Sequence, residues 1–491
     1  MVADVGRALP CDRLSDLPDC ILVSILCRLQ IDEAARCSVL SSRWRRVFPL
    51  TLLDFRAFMP RRHYDVIKAV NSILAAYPTA PVRSFHTYWR FGGDEDASAG
   101  GWLQELARRG VQELSLSFDD RDGRQSIPAS LFACASLTRL RATRCIFPDP
   151  PASPLPLTHL TEIYLWNVTI SDDSLHAVFS QCTALERLRM MHCRGKLSRV
   201  RVQSPSLKIF STDGSFGELF IEDAPNLEWV LGEYMRMRIG VTGYKGGVHL
   251  KVVHAPKLEL LGYLGMSFRG IEIGETIFTD DHIRVKTLMP SLKTLAIEVS
   301  YTSGGYINWI MKLLELFPCL ETLYIRSDTW SAVQAAAPET WDVLRSVPSV
   351  DNHLEKVVFE VYRGHEWQRN MAKFLHGRSS LLKAMEFHCM SDDNTKDYGE
   401  PLSVEWVRKE KELLCLDSRA SMDARFLFFK HQLGSYLWHY HDERSWCKRN
   451  YYSDLYDVLI QEILHRRLAI LHFAALFDRK LTGILVVMWL S

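Results

Sequence analysis

A six-residue frame, L-x-x-L-x-L, recurs along most of this chain, and no other feature restricts its fold so sharply. It begins in VQELSLSF at Val111, SLTRLRATRC at Ser136, HLTEIYLWNV at His159 and ALERLRMMHC at Ala184. Further copies start at Ser206, Asn226, Lys257, Ser291, Cys319, His353 and Leu381. Successive copies lie 20 to 34 residues apart. One such unit cannot bury its own apolar face, whereas a stack of them can. The expected architecture is α/β: a curved solenoid with parallel strands on the concave side and helices or irregular turns on the convex side. Pro205, Pro225, Pro256, Pro290 and Pro318 each stand just ahead of a copy, where a missing N–H does not disturb the ladder. A doubly wound enzyme sheet also alternates strands with helices, but it does not explain the return of one frame. The irregular spacing leaves the strands between Gly232 and Asp281 open.

Ahead of the repeats, Leu14 to Val47 is short, helical in pattern and rich in apolar residues. Ile21, Leu22, Ile25, Leu26 and Leu29 share one broad helical face. Pro18 suits the first turn, and Asp32 is placed to cap a second helix through Ala34, Ala35 and Cys37. A third run sets Trp44 and Phe48 one turn apart among arginines, before Pro49. Three helices in about 40 residues bury too little surface to stand alone. The segment either caps the following domain or offers its apolar face to another protein.

The residues Leu17-Pro18, Ile21-Leu22, Ile25-Leu26, Leu29, and then Ala35 through Arg45 resemble an F-box of the plant type over its full length. The recurring frame is that of a leucine-rich repeat. Residues 352–432 read as strand, turn at Arg363-Gly364, helix, strand, then a basic amphipathic helix from Val404 to Leu414 and an apolar end at Ala424–Phe429. This region resembles the FBD segment that follows the repeats in many plant F-box proteins. The resemblance divides the chain into an F-box at 12–56, a linker helix (Tyr64 to Ala76) and loop at 57–101, and a leucine-rich-repeat solenoid at 102–345. A C-terminal α/β FBD cap at 352–432 and an atypical tail at 433–491 complete it.

Other function classes find little support. Lys+Arg and Asp+Glu balance at 59 and 58, which argues against a general nucleic-acid or membrane-surface binder. The 12 cysteines form no C-x-x-C pair, so neither a zinc ribbon nor a redox motif is indicated. No apolar signal core opens the sequence, and a reduced cytoplasmic or nuclear setting fits best. Gly92–Gly101 reads as a solvated acidic loop without calcium-loop spacing. Gly240–Gly247 lacks the Gly-Lys-Ser/Thr ending of a phosphate loop. In the tail, Ile463–Phe477 and Leu481–Leu490 are too short to span a membrane. His439, His441 and Cys447 there read as surface residues, not as a metal site. Neither a catalytic constellation nor a cofactor is indicated, and His192-Cys193 and His388-Cys389 fall at strand ends.

The resemblance implies a substrate receptor of an SCF-type (Skp–cullin–F-box) ubiquitin ligase. Leu17, Pro18, Ile21, Leu22, Ile25, Leu26, Val39, Leu40 and Trp44 would face a Skp-family adaptor, and through it cullin and a RING protein. Some of these side chains must instead hold the three helices together. Alternation within the frame sends Arg139 and Arg141, then Glu162, Tyr164 and Trp166, then Arg187, Arg189 and Met191 to the concave face. Ser211 and Asp213 follow, and later Thr322, Tyr324 and Arg326. Four arginines beside two large aromatics suit an acidic or phosphorylated segment of a target protein. The competing reading is a non-degradative scaffold that uses the same repeats.

Overall fold

The eleven copies of the frame become eleven consecutive strands of one parallel sheet. The computed structural model describes residues 17–48, 53–55, 63–89, 96–118, 125–232, 248–279, 283–299, 306–327, 346–389 and 403–430, less a few positions inside those ranges. Leu14 to Asp16, Leu40, Asp213, Gly240–Gly247 and everything after Lys430, the tail with its histidines included, lie outside the described residues.

Helices α1 (Asp19–Leu26), α2 (Ile31–Cys37) and α3 (Ser42–Val47) come first, followed by β1 (Leu53–Asp54), α4 (His63–Ala76), β2 (Val82–Trp89) and α5 (Asp96–Arg108). The repeats then supply β3 (Glu113–Phe118), β4 (Arg139–Thr143), β5 (Glu162–Trp166), α6 (Asp172–Gln181), β6 (Arg187–Met191), β7 (Arg199–Gln203), β8 (Ile209–Thr212), β9 (Glu218–Asp223) and β10 (Trp229–Gly232). Next are β11 (Val248–Val252), β12 (Leu260–Leu264), β13 (Phe268–Ile273), β14 (Thr276–Thr279), β15 (Ile283–Arg284), β16 (Thr294–Val299), α7 (Tyr306–Glu315) and β17 (Thr322–Ser327). The chain closes with α8 (Pro348–Asn352), β18 (Lys356–Tyr362), α9 (Glu366–Arg378), β19 (Ala384–Cys389), α10 (Val404–Leu413) and β20 (Arg425–Lys430).

The long sheet runs β1-β2-β3-β4-β5-β6-β8-β10-β12-β16-β17-β18-β19-β20. Each leucine of the frame points to the side where the chain returns. Leu114, Leu140, Ile163, Leu188, Phe210, Val230, Leu295, Leu323 and Val357 therefore bury together in one core. A backbone ladder fixes the register at the strand entries. Thr161 N donates to Thr138 O at 2.9 Å, Glu186 N to Thr161 O at 2.9 Å and Lys208 N to Glu186 O at 2.9 Å, and the pattern continues to Lys383. Towards the C-terminal end aromatics take over the third frame position. Phe359 stacks on Phe387 at 5.4 Å, and Phe387 on Phe428 at 4.7 Å.

Three expectations need correction. The return segments from Arg199 to Arg284 are not helices or irregular turns but a second sheet, ordered β15-β14-β13-β11-β9-β7. Sequences such as RVRVQ and VHLKV alternate with period two, and each bonds to the equivalent return segment of its neighbour. The open edge of β7 packs against α6, which shields it. Secondly, Asp96–Gly101 is not loop but the first turns of α5, whose Trp102, Leu103 and Leu106 are buried. Thirdly, Asp32 lies inside α2 and does not precede it.

The buried imidazole of His376 joins α9 to the end of α10, with Nε2 3.0 Å from Leu414 O. Burial holds its pKa below the ordinary histidine value. An unfolded chain therefore takes up a proton below about pH 6.5 that the folded chain refuses. This contribution to stability is complete above that pH and falls away as pH drops through the folded pKa. Urea midpoints of the native chain should decline from pH 7 to 5 more steeply than those of His376→Gln; parallel slopes would contradict the assignment.

Candidate functional site

The N-terminal helices divide their apolar residues between two jobs. Leu22, Leu26, Ala34, Trp44, Val47 and Phe48 are buried in the same core as Leu53, Phe55, Leu74 and Phe85 of the first strands and α4. Phe48 meets Tyr77 edge-on at 5.2 Å. Leu22, Leu26 and Trp44 are thus spent on the core, with α1 packed on α3, and do not offer themselves to a partner. The side chains left outside are Ile21, 44 % exposed, and Val39, 77 % exposed, with Pro18 exposed and Leu17 and Ile25 half-buried. Arg43, which the apolar pattern did not single out, fixes this edge. Its Nε donates to Asp19 Oδ1 at 2.8 Å and its Nη2 to Leu17 O at 2.5 Å, tying α3 to the start of α1. Ser41 caps α3 by accepting from Trp44 N at 3.4 Å.

On the concave face the strand register aligns side chains into rows. One row runs Glu113, Arg139, Glu162, Arg187 across β3 to β6. It alternates in charge and pairs within itself. Arg139 bonds Glu113, and Arg187 Nη2 lies 3.1 Å from Glu162 Oε2. The four-arginine patch expected from sequence is therefore partly neutralised, and two of its members are committed to neighbouring strands.

The next row runs Ser115, Arg141, Tyr164, Arg189, Ser211. Here the two guanidiniums lie over Tyr164, Arg141 at 4.9 Å and Arg189 at 5.4 Å from the ring centroid. Such contacts contribute about 0.5–2 kcal/mol each and hold the planar groups in fixed poses. A third row brings Trp166 beside Thr143 and Met191. Arg144 lies over Trp166 at 5.2 Å, and His192 meets it edge-on at 6.0 Å. The residue after each of these three strands, Arg144, Asn167 and His192, has φ of 55°, 52° and 53°. This repeated left-handed step turns Arg144 N to Trp166 O at 2.9 Å and Asn167 N to Met191 O at 2.7 Å. Sequence reasoning missed Arg144 and set His192 aside as a strand-end residue, although both follow the frame at a constant offset.

Further along, the concave face changes character. Met191, Ser211, Thr322 and Tyr324 are buried, as are Trp229, Leu231, Leu260, Ala296 and Val358. Gly262 is required here because a Cβ would meet that of Ala296 at 2.4 Å. Arg326 donates to Glu360 Oε2 at 2.8 Å. Tyr324 and Arg326 therefore stand in a packed apolar strip and an ion pair, not beside the Arg141–Tyr164–Arg189 cluster.

Among the described residues no group of three or more His, Cys, Asp and Glu could hold a metal ion. No described helix is long and apolar enough to cross a membrane. Burial pushes the Cys389 thiol up to about 12 and that of Cys145 likewise, which keeps both protonated and unreactive.

An F-box domain model matches residues 14–50. A model described as "FBD-associated F-box protein At5g56370, LRR repeats" matches residues 99–325. The F-box/FBD/LRR-repeat protein At1g13570 of Arabidopsis thaliana is 26 % identical over 419 residues, covering 81 % of this chain and 95 % of the relative. F-box/LRR-repeat protein At3g26922 of the same plant is 28 % identical over 263 residues, 52 % of this chain and 82 % of the relative. F-box/FBD/LRR-repeat protein At5g56420, also from Arabidopsis thaliana, is 25 % identical over 406 residues, 76 % of this chain and 90 % of the relative.

Proposed function

The chain belongs to the plant F-box/FBD/leucine-rich-repeat proteins, and from that premise we propose that it is the substrate receptor of an SCF-type ubiquitin ligase. The observation that carries the reading is the division of labour in the F-box. Its inner apolar residues Leu22, Leu26, Trp44 and Val47 are buried, while Ile21 and Val39 stay exposed and Arg43 ties α3 to the start of α1 beside Ile21. A Skp-family adaptor on that face would bury about 1,500 Å², a normal stable interface. The chain itself would supply no bond-making chemistry. It holds a target near a conjugating enzyme recruited through the adaptor, cullin and RING protein, and so raises the local concentration of the reacting groups.

The target would bind the first half of the concave face. Arg141, Arg144 and Arg189 stand around Tyr164 and Trp166, arginine and large aromatics being the residue types that dominate interface energetics. That chemistry suits an acidic segment, with phosphorylated residues as a stronger version of the same ligand.

Co-purification of the full chain with a Skp-family adaptor tests the first half of this reading. Ile21→Asp/Val39→Asp should lose the complex while melting at the native temperature, because neither side chain is part of the core. A complex that survives the double variant would place the adaptor elsewhere.

A further inference from the structure

Among the described strands, β20, the last of the long sheet, pairs with β19 alone. Arg425 N donates to Lys383 O at 3.0 Å. In a parallel pair that direction alternates, so the N–H and C=O groups of Phe426, Phe428 and Lys430 point away from β19. The sequence of this edge is RFLFFK. Phe426 and Phe428 lie half-buried on the core side, while Leu427, 36 % exposed, and Phe429, 42 % exposed, lie on the concave side. Solenoid ends ordinarily carry polar caps, and free edges are ordinarily blocked by proline, inward charge or a bulge. The described residues show none of these at β20: its register with β19 is unbroken from Arg425 to Lys430, and its charges stand only at its two ends.

We propose that β20 pairs antiparallel with β20 of a second copy of this chain, about a two-fold axis at Leu427. The sequence is self-complementary in that register. Phe426 then opposes Phe428 of the other copy, and these residues carry the outward-pointing backbone groups that would exchange both hydrogen bonds. Leu427 opposes its own counterpart, and Arg425 opposes Phe429, a cation–π pair formed twice. A slip of one residue would set Arg425 against Lys430 and put opposed side chains on different faces. The two-fold keeps both concave faces on one side of the joined sheet, so a target with two recognition segments would bind with the gain of a bivalent contact.

Light scattering or sedimentation of the full chain tests this directly. The expected mass is twice the 56.5 kDa of one chain, falling to a single chain in Leu427→Lys, which places like charges face to face at an exposed site. Residues opposed without backbone bonds have Cα atoms about 4.5 Å apart, within disulfide range. Oxidised Leu427→Cys should therefore give a covalent dimer that reductant dissolves, and Phe429→Cys, which faces Arg425, should not. A full chain of single-chain mass at tens-of-micromolar concentration would overturn the proposal. So would a dimer untouched by Leu427→Lys, or one cross-linked equally through either cysteine.

Discussion

Arg109→Ala should destabilise the chain by about 3–5 kcal/mol, the cost of stripping a buried ionic group from its partners. The guanidinium is 2 % exposed and serves four acceptors at once. Nη2 donates to Leu74 O at 2.7 Å, Nη1 to Tyr77 O at 2.6 Å and Ala80 O at 3.2 Å, and Nε to Glu105 Oε1 at 2.7 Å. Leu74 and Tyr77 lie at the end of α4, whose last carbonyls have no partner inside the helix. Alanine would leave those carbonyls buried without donors and would leave the Trp102 Nε1 to Asn71 Oδ1 bond, at 2.6 Å, as the remaining side-chain hydrogen bond described between α5 and α4. Lysine would recover little, since a single ammonium cannot reproduce the fork. Glu105→Ala removes one acceptor from a site that keeps its carbonyl bonds and should cost less than half as much. The adjacent guanidiniums Arg108 and Arg109 hold the Glu105 carboxyl down at about 2, so its contribution is full above the ordinary carboxylate pKa and is lost as pH falls from there to the folded value. Urea unfolding of the three variants measures all of this. A loss under about 1 kcal/mol for Arg109→Ala would mean that water replaces the arginine.

The second large effect lies at the other end, where one carboxylate pins α10 to the final strands. Glu410 Oε1 accepts from Tyr362 Oη at 2.5 Å and from Arg369 Nε at 2.7 Å, and Oε2 accepts from Arg369 Nη2 at 2.9 Å. The carboxylate is buried, and burial together with its charge drives the Tyr362 phenol far above its ordinary pKa. Gly364, at φ 74°, lets the chain turn close beside this cluster. Glu410→Ala strands a buried phenol and a half-buried guanidinium, and about 3 kcal/mol or more should be lost. Tyr362→Phe removes one neutral donor and should cost about 1 kcal/mol. Hydrogen exchange in α10 and β20 should rise first in Glu410→Ala, because α10 has few other anchors. Unchanged protection there would show that packing of Trp406 and Phe428, 6.3 Å apart, holds the helix without the ion pair.

Eleven of the fourteen strands of the long sheet were legible because each copy of the frame carries its own apolar side, and eleven copies cannot agree by accident; β2, which carries no copy, was not. The second sheet was not, since RVRVQ and VHLKV lie between copies where only alternation marks them, and a five-residue alternation is weak evidence alone. For the F-box, sequence showed one apolar face but not which half turned inward. Leu22 and Ile21 are adjacent residues, yet one is wholly buried and the other 44 % exposed. The concave patch shows a similar limit. Glu113, Arg139, Glu162 and Arg187 occupy one frame position in four successive copies, but only the register reveals that they pair with one another.

The receptor account is tested most directly by reconstituting ubiquitin transfer. The full chain, with a Skp-family adaptor, cullin, RING protein and conjugating enzyme, would be given the proteins its repeats capture from plant extract. The account predicts ubiquitin on those proteins with the native chain. With Ile21→Asp/Val39→Asp they should be captured but unmodified, and with Arg141→Glu/Tyr164→Ala they should not be captured. Proteins held by the native chain yet never modified, or modified equally with the F-box variant, would contradict the account and leave a binding scaffold in its place.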